Sequence, residues 1–305
     1  MKKIIFLVGP TAIGKTEVAI KLAKKIKAEI ISCDSMQIYK EMDIISAKPS
    51  KSRRKNLPHY LIDQVSVTRK FSVADYQKKA LEAIKKIHKK GKIALVVGGS
   101  GLYMQVLLDG IFSQGKGDIS IRRSLYRQAK KYGNLYLYER LRRIDAQTAF
   151  KIHPNDLRRI IRALEVFDAT GMPISKHQKK RRGGIWGEYD VRIFGLICNR
   201  DELYRSIDLR TQKMFKKGLV KEVKNLINKK LSQTASQGIG IKEIKGCLEG
   251  RYGLDEAKRM MKLNSRHFAK RQLIWFRKEK RINWIKISKE DTPTMVANEI
   301  VGLLK

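Results

Sequence analysis

Acidic residues are scarce in this chain: its 305 residues hold 29 Asp and Glu against 67 Lys and Arg, a formal net charge of +38. A field of that sign gathers polyanions and works against the compact state unless a partner uses it. Nucleic acid is the favoured partner and an anionic membrane surface the lesser one; a uniformly lysine-rich proteome is the alternative that needs no partner. Cysteine is scarce too. Cys33, Cys198 and Cys247 are an odd number with no C-x-x-C spacing, which argues against a disulfide framework and a cysteine zinc site and for a reducing cytosol. Long apolar runs are missing. Residues 4–8 are apolar but stop at Gly9-Pro10, too soon for a signal-peptide core, and no stretch approaches the length of a bilayer span. No membrane partner is therefore expected, and no internal repeat or low-complexity tail is visible.

What is present begins at Gly9-Pro10-Thr11-Ala12-Ile13-Gly14-Lys15-Thr16, a match to G-x-x-x-x-G-K-[ST]. Residues 4–8 read as the strand that must precede such a loop. Val18, Leu22 and Ile26 repeat at the spacing of the helix that must follow it. In that setting the loop amides and the helix N-terminus converge on one anion, Lys15 adds a point charge, and the Thr16 hydroxyl ligates Mg²⁺. Which phosphate compound is held, the motif leaves open.

Residues 29–33 read as a second buried strand that delivers Asp34-Ser35-Met36-Gln37. If both strands share a parallel sheet, Asp34 emerges on the same rim as the phosphate loop. Asp34-x-x-Gln37 also has capping-box spacing, so a helix start is the competing reading. Residues 40–70 read as loop, and Ser72 as the cap of a helix to about residue 90. A strand at 93–97 ends in Gly98-Gly99-Ser100-Gly101, where many P-loop ATPases carry a Mg²⁺-binding acid; the two glycines suggest close approach of backbone to ligand.

From about 112 to 184 helical patterns at 119–131, 135–143, 145–150 and 155–169 follow one another without a strand. This stretch is rich in Arg, including Arg122, Arg158, Arg159 and Arg162, and ends in a basic run over 176–182. The α/β pattern resumes with a strand at 191–198 and helices near 201–216 and 219–230, the first carrying Arg210, placed to clamp a leaving group. A long basic helix over 254–280 shows Ala257, Met261, Phe268 and Trp275 as a core stripe. A strand at 283–287 and a helix at 293–304 close the chain. The expected fold is α/β, a P-loop NTPase-like parallel sheet flanked by helices. Residues 1–111 and 185–305 form the core domain, and 112–184 an all-helical, RNA-binding insertion.

Together the phosphate loop, Asp34 to Tyr39, Ala47-Lys48-Pro49, Pro58 to Asp63, Val97 to Tyr103, His153-Pro154-Asn155-Asp156, Arg162 to Val166 and Ala269 to Arg277 resemble the bacterial tRNA dimethylallyltransferases over nearly the whole chain. The resemblance implies transfer of a dimethylallyl group from dimethylallyl diphosphate to N6 of adenine-37 in the anticodon stem-loop of tRNA, with Mg²⁺, by a protein expected to act as a monomer. Residue by residue, it implies Asp34 as the base, with Ser100 and Lys15 as further catalytic residues. Gly9 to Thr16 and Arg210 would hold the diphosphate. Asp34, Ser35, Met36, Gln37, Ser100, Arg122, Arg158, Arg159, Ile160, Ile161 and Arg162 would meet the tRNA. The chain departs from the family pattern at Ser46, Ser100, Arg158 and Ile241, where Thr, Thr, Gln and Tyr are usual, and it lacks the zinc-finger tail of eukaryotic relatives. The competing reading is an ATP-dependent small-molecule kinase using the same loop; a third is an RNA-binding protein whose phosphate loop is idle.

Overall fold

Short runs rich in Ile, Val and Leu become the central strands, and those at residues 3–8, 28–33 and 93–98 are buried on both faces, as parallel sheets covered by helices require. The computed structural model describes residues 1–112, 118–179 and 182–304, so Lys180 and Arg181 of the basic run lie outside the described residues. In chain order the elements are β1 (Lys3–Val8), α1 (Lys15–Lys25), β2 (Ala28–Cys33), α2 (Lys51–Asn56), β3 (His59–Tyr60), α3 (Val73–Lys89), β4 (Ile93–Gly98) and α4 (Gly101–Asp109). There follow α5 (Ile119–Tyr132), α6 (Asn134–Ile144), α7 (Ala146–Ala149), α8 (Leu157–Thr170) and α9 (Ile174–Gln178). The last are β5 (Asp190–Ile197), α10 (Arg200–Lys216), α11 (Leu219–Ile227), a 3₁₀ turn (Ala235–Gln237), α12 (Ile241–Leu248), α13 (Leu254–Phe276), β6 (Ile282–Lys286) and α14 (Pro293–Gly302).

The chain divides into two compact units, residues 1–108 with 185–304 as described, and residues 109–184. The first is an α/β unit whose sheet runs β3-β2-β4-β1-β5-β6 with every pair parallel. Along β1, Ile4, Phe6 and Val8 enter one core cluster while Ile5 and Leu7 enter the other. That alternation is the two-residue period of a strand with helices on both sides. Parallel pairing also sets the register that matters: Val8 lies beside Gly98, and Gly98 beside Cys33. The residues that follow, Gly9, Gly99 and Asp34, therefore leave the sheet on one rim, with neighbouring strands about 4.8 Å apart.

Two expectations are corrected here. Residues 40–70 are not all loop, because α2 and β3 lie within them and β3 adds the edge strand, Ile30 and Ile31 pairing His59 and Tyr60. No helix starts at Asp34; its Oδ1 accepts from the Met36 N–H at 2.8 Å and the Gln37 N–H at 3.4 Å, a turn. The helix expected after Ser72 is capped as read, Ser72 and Asp75 each bonding the other's backbone N–H.

The second unit is helical. Its core joins Leu125, Leu137, Leu141, Ile160, Ile161 and Leu164 from α5, α6 and α8. Ile160 and Ile161 are 0% and 2% exposed, so the expectation that they meet tRNA is corrected: their side chains pack inside this unit. Arg158 and Arg159 on the same helix are exposed.

Candidate active site

The phosphate loop turns into α1 at Gly14, whose φ of 91° lies in the left-handed region. A side chain there would be strained whatever the space, which fixes glycine at this position. The loop closes on itself, Lys15 Nζ donating to the Pro10 carbonyl at 2.7 Å. Burial, and then the nearby Arg210 guanidinium, push the Lys15 ammonium down to about 7, with Asp34 pulling the other way. The loop thus holds a cation that needs an anion to keep its proton. Ile13 is buried and offers a ligand only its backbone.

Arg210 reaches the rim from α10. Its Nη1 donates to Thr11 Oγ1 at 2.9 Å. Burial lowers its affinity for a proton and Asp34 opposes that; a guanidinium stays charged all the same. Asp208, two residues back, is engaged elsewhere, accepting from Arg266 Nε at 3.2 Å and Nη2 at 2.6 Å, so α10 is tied to α13.

Beside the loop, Ser100 Oγ accepts from the Ser35 N–H at 3.2 Å, joining the end of β4 to the turn after β2. Gln37 is fixed by Ser32 Oγ, which donates to its Oε1 at 2.8 Å, and by its own Nε2 donating to the Ser46 carbonyl at 3.4 Å. Thus Asp34, Ser100, Lys15, Thr16 and Arg210 are brought to one rim, and a cleft of about 920 Å³ is lined by Thr11, Lys15, Thr16, Asp34, Gln37 and Arg210 among others. Ser35 and Met36 follow Asp34 in the turn. Arg122, Arg158, Arg159 and Arg162 belong to the helical unit. There Arg122 Nη2 donates to both oxygens of Glu165 at 2.8 and 2.9 Å, Arg162 Nη1 donates to Glu165 Oε2 at 3.1 Å, and Arg159 Nε donates to Asp156 Oδ2 at 2.5 Å.

Gly98 and Gly99 line the cleft, and protein packing alone also asks for glycine at both. A Cβ on Gly98 would lie 2.0 Å from the Cys33 carbonyl oxygen, and one on Gly99 would lie 2.2 Å from Gln272 Nε2. The stripe on α13 also shifts. Ala257 and Met261 are buried as expected, but Phe268 and Trp275 are 36% and 40% exposed, and Ala269, Gln272 and Phe276 take the core positions.

Two residues to which the sequence assigned no role also shape the cleft. Gln272 touches both Thr11 and Gly99; a polar residue at a buried helix register was the signal for it. Glu222 on α11 accepts from three successive backbone N–H groups, Asp43 at 3.1 Å, Ile44 at 2.8 Å and Ile45 at 2.9 Å, and nothing in sequence spacing marks that contact. Glu222→Ala strips all three, and is expected to lower stability by about 2 kcal/mol. Urea melts of the two proteins check this.

As to metal, Thr16 and Asp34 put hard oxygen donors in one cleft, and among the described residues no cluster of three or more His, Cys, Asp or Glu is gathered. That donor set fits Mg²⁺, which takes few protein ligands and completes its shell with substrate phosphate and water.

The sequence model of the IPP transferase family matches residues 37–279. The chain belongs to the IPP transferase family. The tRNA dimethylallyltransferase of Carboxydothermus hydrogenoformans is 47% identical over 95% of this chain and 93% of its own length; that of Halothermothrix orenii is 44% identical over 94% and 88%. Among solved structures, the Bacillus halodurans tRNA isopentenylpyrophosphate transferase superposes with a TM-score of 0.71 at 36% identity, covering 100% of this chain and 97% of that one. A eukaryotic dimethylallyltransferase solved acting on tRNA gives 0.82 at 27%, covering 99% and 80%. This IPP transferase is thus a prenyltransferase with the parallel P-loop-like fold expected of it. The family match begins after the phosphate loop and Asp34, so those residues stand on their own geometry.

Proposed function

We propose that this chain transfers the dimethylallyl group of dimethylallyl diphosphate to N6 of adenine-37 in the tRNA anticodon loop. The observation that carries the reading is the shared rim: the phosphate loop with Lys15, Arg210 and the Asp34 carboxylate, held in a turn, line one cleft. The adenine N6 lone pair attacks C1 of the dimethylallyl group, the C1–O bond breaks, and diphosphate leaves with the bonding electrons. An amino nitrogen conjugated to a purine is a weak nucleophile, so Asp34 takes its proton as the bond forms. Lys15, Arg210 and the loop amides meet the charge that gathers on the leaving diphosphate. Thr16 would hold a Mg²⁺ ion there, which when bound would supply further charge neutralisation. Met36, Gln37 and Ser100 border the place of the adenine, which must leave its stack to enter.

The exposed Arg158 and Arg159 of the helical unit, with the overall excess of +38, suit the phosphate backbone of the anticodon stem-loop. One chain carries the whole rim, so a monomer in the cytosol, where tRNA is found, suffices. No helix among the described residues is long and apolar enough to cross a membrane. The kinase reading draws no support from the relatives, which are transferases by name.

Labelled dimethylallyl diphosphate, Mg²⁺ and two anticodon stem-loops, one with adenine and one with guanine at position 37, test the proposal. Label is expected on the adenine RNA alone. Label on neither, with the γ-phosphate of ATP passed to a small acceptor, would reinstate the kinase.

A further inference from the structure

One buried polar side chain of the rim has no part in the chemistry above. Gln272 projects from α13, and its Oε1 accepts from the Thr11 N–H at 2.8 Å while its Nε2 donates to the Gly99 carbonyl at 2.8 Å. Both contacts continue outward. Thr11 receives Arg210 through its hydroxyl, and Ser100, next to Gly99, receives the Ser35 N–H beside Asp34. An unbroken run of contacts therefore leads from the cation that meets the leaving group to the carboxylate, and Gln272 is its middle link.

The link demands an amide. Thr11 needs an acceptor and Gly99 a donor, and the group that presents both side by side at neutral pH is the amide of Asn or Gln; Asn is one methylene shorter. Glycine at 99 belongs to the same device, because a Cβ there would come within 2.2 Å of Nε2. The Arg266–Asp208 pair fastens α13 to α10, so the helix that carries Gln272 and the helix that carries Arg210 share one attachment.

We propose that Gln272 is a positioning residue that fixes the span between the diphosphate cradle and the half of the site holding Asp34 and the adenine, so that N6 and C1 meet in line. The proposal rests on the transferase reading. Displacements near 1 Å in such alignments cost about 10²-fold in rate. Neither binding half is removed when the link is cut, so the loss falls on the bond-forming step.

Gln272→Glu and Gln272→Met separate positioning from mere packing. In single-turnover transfer near pH 8, both are expected to be about 30- to 100-fold slower than wild type, with stem-loop and donor affinities within about threefold. An introduced carboxylate accepts from Thr11 but repels the Gly99 carbonyl; once protonated it donates there and the bridge returns. The deficit of Gln272→Glu relative to wild type is therefore expected to shrink as pH falls to about 5.5, while that of Gln272→Met stays constant. Gly99→Ala, which leaves Gln272 in place but unseats its amide, is expected to repeat the loss. Either Gln272 variant within threefold of wild type near pH 8, or a Gln272→Glu deficit that ignores pH, would overturn the proposal. Absence of transfer by the wild-type chain in the same assay would instead overturn the transferase reading, and this proposal with it.

Discussion

Asp34→Asn is expected to slow transfer by about 10³-fold while leaving tRNA affinity within a few-fold, since a positioned base contributes roughly 10²- to 10⁴-fold. The asparagine is the informative substitution because Asp34 does two things. Its Oδ1 holds the turn through Met36 and Gln37, and its carboxylate would take the N6 proton. Asparagine keeps an oxygen for the turn and loses the base. Alanine loses both, so Asp34→Ala is expected to match the kinetic loss and add a fall in melting temperature. Stopped single-turnover assays with stem-loop binding measured beside them decide the matter; near-normal turnover by Asp34→Asn would sink the assignment.

The second large effect runs in two directions at once. Lys15→Met is expected to weaken donor binding and slow transfer by about 10²- to 10³-fold, the loss typical when a charge-stabilising donor is removed. The same change is expected to raise the melting temperature of the ligand-free protein by roughly 5 °C near pH 6. Burial brings Lys15 from 10.5 to about 7 in the folded chain. Below 7 it is charged in both folded and unfolded states and its desolvation penalty is felt in full. Between 7 and 10.5 the unfolded state binds the extra proton, so wild-type stability gains on the variant as pH rises. The difference in melting temperature is thus expected to close toward alkaline pH. Donor affinity of the wild type is expected to weaken above about pH 7, as the empty site gives up the Lys15 proton, and Lys15→Met is expected to lack that dependence. A variant no more stable than wild type near pH 6 would contradict the buried-cation account.

Much of the site was legible because its residues sit at strand ends. A P-loop needs a strand before it and a helix after it, and apolar periodicity shows both. Asp34 follows a second such strand, so the parallel sheet brings it to the loop. The edge strand at His59 and Tyr60 escaped notice because two residues after Pro58 make no alternating pattern. Aromatic residues at helical spacing usually mark a core face, so Phe268 and Trp275 read as core from the sequence. In fact α13 turns a narrower stripe inward, and that stripe includes the polar Gln272. Gly98 and Gly99 line the cleft as a close approach to a ligand requires, and the Cys33 backbone and Gln272 beside them add a demand for glycine that no spacing rule shows. Ile160 and Ile161 came with a motif whose exposed arginines and buried isoleucines alternate on one helix, and the motif alone does not sort them. Contacts such as Glu222 with three backbone amides join residues far apart in sequence, and no spacing rule reaches them.

The place of β1 in the sheet has a consequence for how the protein comes into being. Lys3 pairs with Asp190, and Ile4 with Ala94, so the first strand made must wait for partners from the middle and the later part of the chain. Pairings of that reach are slow to close, because loop entropy is lost before the contact is gained. The link through Gln272 comes later still, from a helix near the end of the chain. During synthesis the phosphate loop and Asp34 appear before α13. A growing chain therefore holds Lys15 and Asp34 before it holds Gln272, the residue that aligns them.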